Sequence, residues 1–184
     1  MKRTLLVLLA LVSLNVSALT VDSITFDDKT TVDSKELVLN GVGIRKATFL
    51  KIKVYYGGLY ITAKTDNAFK FLTTTDPKQI VMHFVRDVGV KDLKKAYSEG
   101  FESANKAKDT YKELLPKLEA FNNLLSDVTK GERMVVTFHA DGVTLNFKGK
   151  VSEKVTGTDF SQALLSVWFI NPLDENLSNG LLGK

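Results

Sequence analysis

The residues with the clearest chemical potential lie between Leu39 and Thr62. Arg45 stands at the head of an apolar, aromatic stretch, two residues past Gly41-Val42-Gly43, and Tyr55, Tyr56 and Tyr60 follow it. Tyr97 and Tyr111 come later, and Lys51, Lys53 and Arg86 are close in sequence. A guanidinium offers N–H donors in a fork that matches a carboxylate or phenolate, and a tyrosine hydroxyl adds a short O–H···O bond. Phenylalanine, leucine and isoleucine around such a pair would hold a long or aromatic ligand body. An arginine in this setting is solvated at a strand edge or needs an anion, because burying it unpaired is costly. The alternative is internal: Arg45 pairs with an aspartate or glutamate of the same chain, and the tyrosines are half-buried core.

Other chemistries find no support. His83 and His139 are the two histidines, each in a β-type run, without H-x-H or H-x-x-x-H spacing, so no metal site is expected. Gly41-Val42-Gly43 lacks both the third glycine of a dinucleotide fingerprint and the lysine-serine of a phosphate loop. No G-x-S-x-G elbow occurs, and the acidic residues are scattered rather than paired as in a glycosidase. The absence of cysteine removes thiol nucleophiles, zinc-thiolate sites and disulfides. No cofactor is expected.

The first eighteen residues read as a secretory signal peptide. Lys2 and Arg3 make a positive start, Leu5 to Leu14 an apolar middle, and Val16-Ser17-Ala18 a small-residue cleavage site. Cleavage after Ala18 would leave one domain, residues 19–184, with a formal charge of +2 rather than +4, since Lys2 and Arg3 are lost. That is too little for a nucleic-acid footprint. No later stretch has the roughly 18 apolar residues of a membrane span. An exported chain without cysteine fits a periplasmic or secreted protein, stabilised by its core alone.

Positioning Arg45 and the tyrosines requires the following elements. Leu19–Phe26 alternates and reads as a strand, Asp27-Asp28-Lys29 as a turn, and Thr31–Leu39 as an extended segment entering a turn at Gly41–Gly43. Thr48–Thr62 is a long strand whose odd positions (Tyr55, Gly57, Leu59, Ile61) share one face and whose even positions (Tyr56, Gly58, Tyr60) share the other. Gly57-Gly58 suggests a bulge or a close approach. Ala68–Leu72 reads as a short helix and Lys78–Arg86 as a strand. Leu93, Ala96, Tyr97, Gly100, Phe101 and Ala104 fall at helical spacing, and Tyr111 to Leu125 repeats the pattern around Pro116. Arg133–His139 and Thr144–Lys150 form a hairpin across Asp141-Gly142, a helix runs from Thr158 or Asp159 to Trp168, and Asn176–Leu182 makes a last turn. Helices are grouped rather than alternating with strands, which indicates α+β with a mainly antiparallel sheet.

The order of motifs resembles the chalcone isomerase fold family, in its bacterial exported branch. The residues that carry it are Gly41-Val42-Gly43-Ile44-Arg45 and Lys53-Val54-Tyr55-Tyr56-Gly57-Gly58-Leu59-Tyr60. They are followed by Phe84-Val85-Arg86-Asp87-Val88, the Asp127–Arg133 loop, Ala163–Trp168 and Gly180-Leu181-Leu182-Gly183. The resemblance implies an open-faced β-sandwich: a large antiparallel sheet, helices on one face, and a ligand cleft between them. In the enzymes an arginine, a threonine and a tyrosine guide cyclisation of a chalcone. Arg45 matches the arginine, Tyr55 stands where the threonine would be, and Tyr97-Ser98-Glu99 is similar to the helix tyrosine segment. Other members bind fatty acids through an arginine and a tyrosine, which Arg45 with Tyr55 matches more closely.

Three functions follow as expectations. The first is a non-catalytic binding protein for a fatty acid or similar amphipathic or aromatic anion, held by Arg45, Tyr55 and Tyr97. The second is a chalcone isomerase-like intramolecular lyase using Arg45. The third is a structural or partner-binding module without a small ligand.

Overall fold

A computed structural model describes residues 18–47 and 50–184. The signal-peptide segment therefore lies, up to residue 17, outside the described residues.

Long runs of β-branched and aromatic residues build one large antiparallel sheet. Its strands are β3 (Lys29–Val32), β4 (Lys35–Ala47), β5 (Ile52–Ile61), β6 (Lys78–Phe84), β7 (Arg133–His139), β8 (Gly142–Phe147), β9 (Lys150–Val151) and β10 (Val155–Thr156). The order across the sheet is β10-β8-β7-β6-β5-β4-β3, with β9 also paired to β8. Consecutive strands are mostly neighbours, so the sheet is a meander interrupted by helices. The helices are α1 (Phe69–Leu72), α2 (Val90–Asn105), α3 (Tyr111–Asn122), α4 (Thr158–Leu165) and α5 (Glu175–Leu181), with a 3-10 turn at Ser166–Trp168. Pro116 stays inside α3, where it removes a single backbone bond.

The helices cover one face. Leu59, Ile61, Ile80, Met82, Phe84, Met134, Val136 and Phe138 from the sheet meet Leu93, Phe101, Leu114, Phe121, Phe160 and Leu164 from the helices in the main core. The α+β architecture, with a large antiparallel sheet and helices on one side, is the one the sequence pattern indicates. A smaller core occupies the other face, where Ile24 and Phe26 pack on Leu37, Leu39, Tyr56 and Tyr60. It is covered by a separate two-stranded hairpin, β1 (Ala18–Val21) and β2 (Ile24–Asp27).

Three local expectations are corrected. Leu19–Phe26 is not one strand but this hairpin, turned at Asp22 and Ser23 with φ of 47° and 68°. The extended segment before Leu39 is likewise folded back, at Asp33 and Ser34 (φ 50° and 62°). Both pairs adopt the left-handed conformation of a tight hairpin turn without glycine. Gly41-Val42-Gly43 is no turn: it lies inside the continuous strand β4. Its glycines permit contact instead. A side-chain carbon on Gly41 would sit 2.3 Å from the Gly180 carbonyl oxygen, and one on Gly43 2.3 Å from that of Leu177, so α5 rests directly on the backbone of β4. Gly57-Gly58 marks close approach rather than a bulge: Gly57 faces Leu177 and Leu181, and Gly58 lies under the Phe26 ring. The register of β4 against β5 shifts elsewhere, between Leu39 and Gly41 and between Arg45 and Lys46.

Candidate functional site

Arg45 and Tyr55 are cross-strand partners in the β4–β5 ladder, and Tyr55 in turn opposes Phe84 on β6. Directly opposed residues project to the same face. Here that is the helix face, and the register shifts immediately after Arg45 before pairing resumes with Lys46 opposite Lys53. α2 crosses above, with Leu93, Tyr97 and Gly100 on its buried side, where the helical period puts them, and the exposed Ala96 at the rim. The 3-10 turn supplies Val167 and Trp168, and the segment before α5 supplies Pro172, Leu173 and Asp174. Together with Met82, Phe84, Met134 and Leu177 these residues line a half-open cleft. Arg45, Tyr55 and Tyr97 all line it.

The polar groups in this apolar cleft are few and have hydrogen-bonding capacity to spare. Arg45 Nη1 donates to the Lys46 carbonyl (2.7 Å) and lies 3.4 Å from Asp174 Oδ2. Its Nε and Nη2 have no hydrogen-bond partner among the described residues. The Tyr55 hydroxyl accepts from Trp168 Nε1 at 3.2 Å, and its own proton has no acceptor among the described residues. Burial pushes this phenol up to about 12, against the smaller opposing influences of Trp168 and Arg45, so it remains a donor at neutral pH. Tyr97 is also held protonated, by burial and then by the neighbouring Tyr55. Its hydroxyl meets only the Met82 sulfur, at 3.9 Å, among the described residues. A thioether is a weak acceptor. Edge-on contacts with Phe121 and Trp168 fix the Tyr97 ring.

Asp174 is the residue the sequence reading missed. Its side chain is 7% exposed and sits against Arg45. Oδ1 accepts from the Asn176 and Leu177 amides at the start of α5, and Oδ2 accepts from the Lys46 amide at 2.7 Å. Three backbone donors thus satisfy the carboxylate before Arg45 is counted, and the 3.4 Å contact is long for a charged hydrogen bond. An aspartate three residues before an apolar helix position is an N-cap signal, and it was the available clue. Trp168 was legible as a helix end but not as a partner of Tyr55.

The remaining phenols and cations do not join the site. Tyr56 and Tyr60 belong to the opposite face, where Tyr56 bonds Asp22 and Tyr60 donates to the Asp27 carbonyl. Tyr111 packs at a tilt against Phe101. Lys53 pairs with Asp22. His139 contacts Asp33 and Thr144, and His83 lies beside Arg133. Among the described residues no group of three or more metal-ligating side chains occurs, and no helix is long and apolar enough to cross a membrane.

The sequence model of the chalcone isomerase-like family matches residues 18–183. The chain belongs to the chalcone isomerase-like family. Among solved structures of this fold, the fatty-acid binding protein AtFAP1 of Arabidopsis thaliana superposes with a TM-score of 0.71 over 90% of this chain and 96% of its own, at 16% identity. At that identity the likeness shows the shared fold. A search of curated proteins returns no match. In this family member, the cleft between sheet and helices is the one that holds Arg45, Tyr55 and Tyr97.

Proposed function

We propose that this chain is a non-catalytic carrier of a fatty acid or a similar amphipathic anion. Arg45 and Tyr55 take the head group, Tyr97 lies beside it, and the tail runs along Met82, Phe84, Leu93 and Met134. The observation that carries this reading is the cross-strand pair itself. Arg45 and Tyr55 open side by side into an apolar cleft with donors unspent. A carboxylate would accept from both. The fold it shares with a fatty-acid binding protein supports the same reading.

The contact between Arg45 and Asp174 favours a second reading, a structural module in which the two form an internal pair. Weighing against it, Asp174 is already satisfied by backbone donors and the cleft is not filled by side chains. An isomerase would place Tyr55 where the enzymes carry threonine, and this departure argues for binding over turnover.

The deciding experiment is denaturing extraction of the purified protein followed by mass spectrometry, with fatty-acid titration of Arg45→Ala alongside. The carrier reading expects a stoichiometric amphipathic acid, and a folded variant whose affinity has collapsed. Unchanged affinity in Arg45→Ala would sink it. We also propose that the protein acts after export, on the strength of the charged start, apolar middle and small-residue site at its N-terminus. N-terminal sequencing of the cellular protein should then begin at Leu19, and a chain beginning at Met1 would overturn this.

A further inference from the structure

The end of the β4–β5 hairpin carries an unusual surface. Leu50 is 65% and Ile52 40% exposed, although both are large and apolar. They are interleaved with Lys51 and Lys53, and Lys46 stands directly opposite Lys53 in the ladder. Like charges placed in register repel, so this arrangement is not explained by the stability of the hairpin. From Leu37 to Thr65 the sequence holds no aspartate or glutamate. Asp22 offsets one of these charges, through its contact with Lys53. Arg86, exposed, is brought alongside by the bond from the Val85 amide to the Val54 carbonyl.

The same end of the sheet leads into the cleft. Arg45 adjoins Lys46, whose amide is held by Asp174. Leu173, next to Asp174, lines the cleft and is itself 44% exposed. Apolar tips flanked by lysines are the chemistry of an interfacial anchor. The side chains enter the headgroup boundary while the ammonium groups stay with the phosphates. Among the described residues this tip exposes two large apolar side chains, few for the desolvated centre of a stable protein interface.

We propose that Lys46, Leu50, Lys51, Ile52 and Lys53 dock on the surface of an anionic lipid bilayer and bring the cleft mouth against it. The docking stands on these residues alone. That it serves to pass an amphipathic acid between bilayer and cleft rests on the carrier reading above.

The test is co-sedimentation of the protein with vesicles of phosphatidylcholine, with and without one quarter phosphatidylglycerol. Titration with cis-parinaric acid in vesicle-free solution runs in parallel. The protein should pellet with the anionic vesicles, and roughly tenfold less with the neutral ones. Salt near 0.5 M should release it, because screening shortens the reach of the charges to about 4 Å. The Leu50→Ser/Lys51→Glu double variant should lose vesicle binding at least tenfold and titrate parinaric acid as the parent does. If circular dichroism shows that this variant is unfolded, Lys51→Gln replaces it, with a smaller loss in the same direction. Equal binding to both vesicle types, or a folded variant that binds them like the parent, overturns the proposal. Normal vesicle docking without parinaric acid binding in either protein leaves docking standing and removes the carrier reading instead.

Discussion

Gly43 and Leu177 meet backbone to backbone. A side-chain carbon at Gly43 would lie 2.3 Å from the Leu177 carbonyl oxygen, and one at Gly180 would lie 2.5 Å from the Gly43 Cα. This contact sets the height of α5 above β4, and with it the position of Asp174 and Leu177 at the cleft. Gly43→Ala must push the helix away, since neither atom in conflict belongs to a flexible side chain. The expected cost is about 1–3 kcal/mol, read as a lower thermal midpoint. Ligand affinity should fall with it, because two lining residues move. A variant with parental stability would show that α5 is not held by this contact.

Tyr55 and Tyr97 separate in their effects. Tyr55→Phe removes an acceptor from Trp168 Nε1 and, on the carrier reading, a donor to the ligand. Stability should fall by about 1 kcal/mol, and affinity for a carboxylate by roughly tenfold or more, the scale of a hydrogen bond to a charged group. Tyr97→Phe gives up only the 3.9 Å contact to Met82 sulfur, so its stability should match or exceed the parent's. Any loss of affinity in that variant then reports a bond made to the ligand. Calorimetric titration with a long-chain acid and with its methyl ester distinguishes the two, since the ester lacks the charged acceptor.

Asp174 offers the sharpest division between a carrier and an internal ion pair. Asp174→Asn keeps an oxygen to cap α5 and removes a negative charge beside Arg45. An incoming carboxylate would no longer be repelled, and affinity should rise severalfold at low salt, with the gain shrinking as salt is added. Stability should drop modestly, because the Lys46 amide then faces an amide group in place of a carboxylate oxygen. Were the Arg45–Asp174 pair purely structural, the same change would destabilise the protein and leave anion affinity where it was.

How much of this was legible follows from the kind of signal each residue leaves. The two-residue period of β5 separated Tyr55 from Tyr56 and Tyr60, and the structure puts the first in the cleft and the others on the opposite face. The helical period of α2 placed Tyr97 on the side with Leu93 and Gly100. Asp174 and Trp168 were hidden because their partners, Arg45 and Tyr55, lie more than a hundred residues earlier, and no local pattern encodes such a meeting. Glycine misled in a different way. The pair in Gly41-Val42-Gly43 is equally suited to a turn and to a strand that another backbone must approach, and only the helix packed on it decides between them. The hairpins at Asp22-Ser23 and Asp33-Ser34 lack the glycine that usually announces such turns.

Lys78 supplies a prediction outside the cleft. It is 4% exposed at the start of β6, and its ammonium donates to the Thr74 and Asp76 carbonyls. Burial depresses it to about 8, an effect only partly opposed by Asp76. The unfolded chain would hold this proton up to the ordinary lysine value of 10.5, so between the two values unfolding takes up a proton. Stability contributed by the group is therefore greatest above 10.5 and is lost as pH falls through 8. Urea unfolding at pH 8 and at pH 9, where the tyrosines of the unfolded chain are still mostly protonated, should show a gain of about 1 kcal/mol on going up. Lys78→Met should flatten that slope. A parent protein whose stability is level or declining over this interval would mean that Lys78 remains fully charged in the fold.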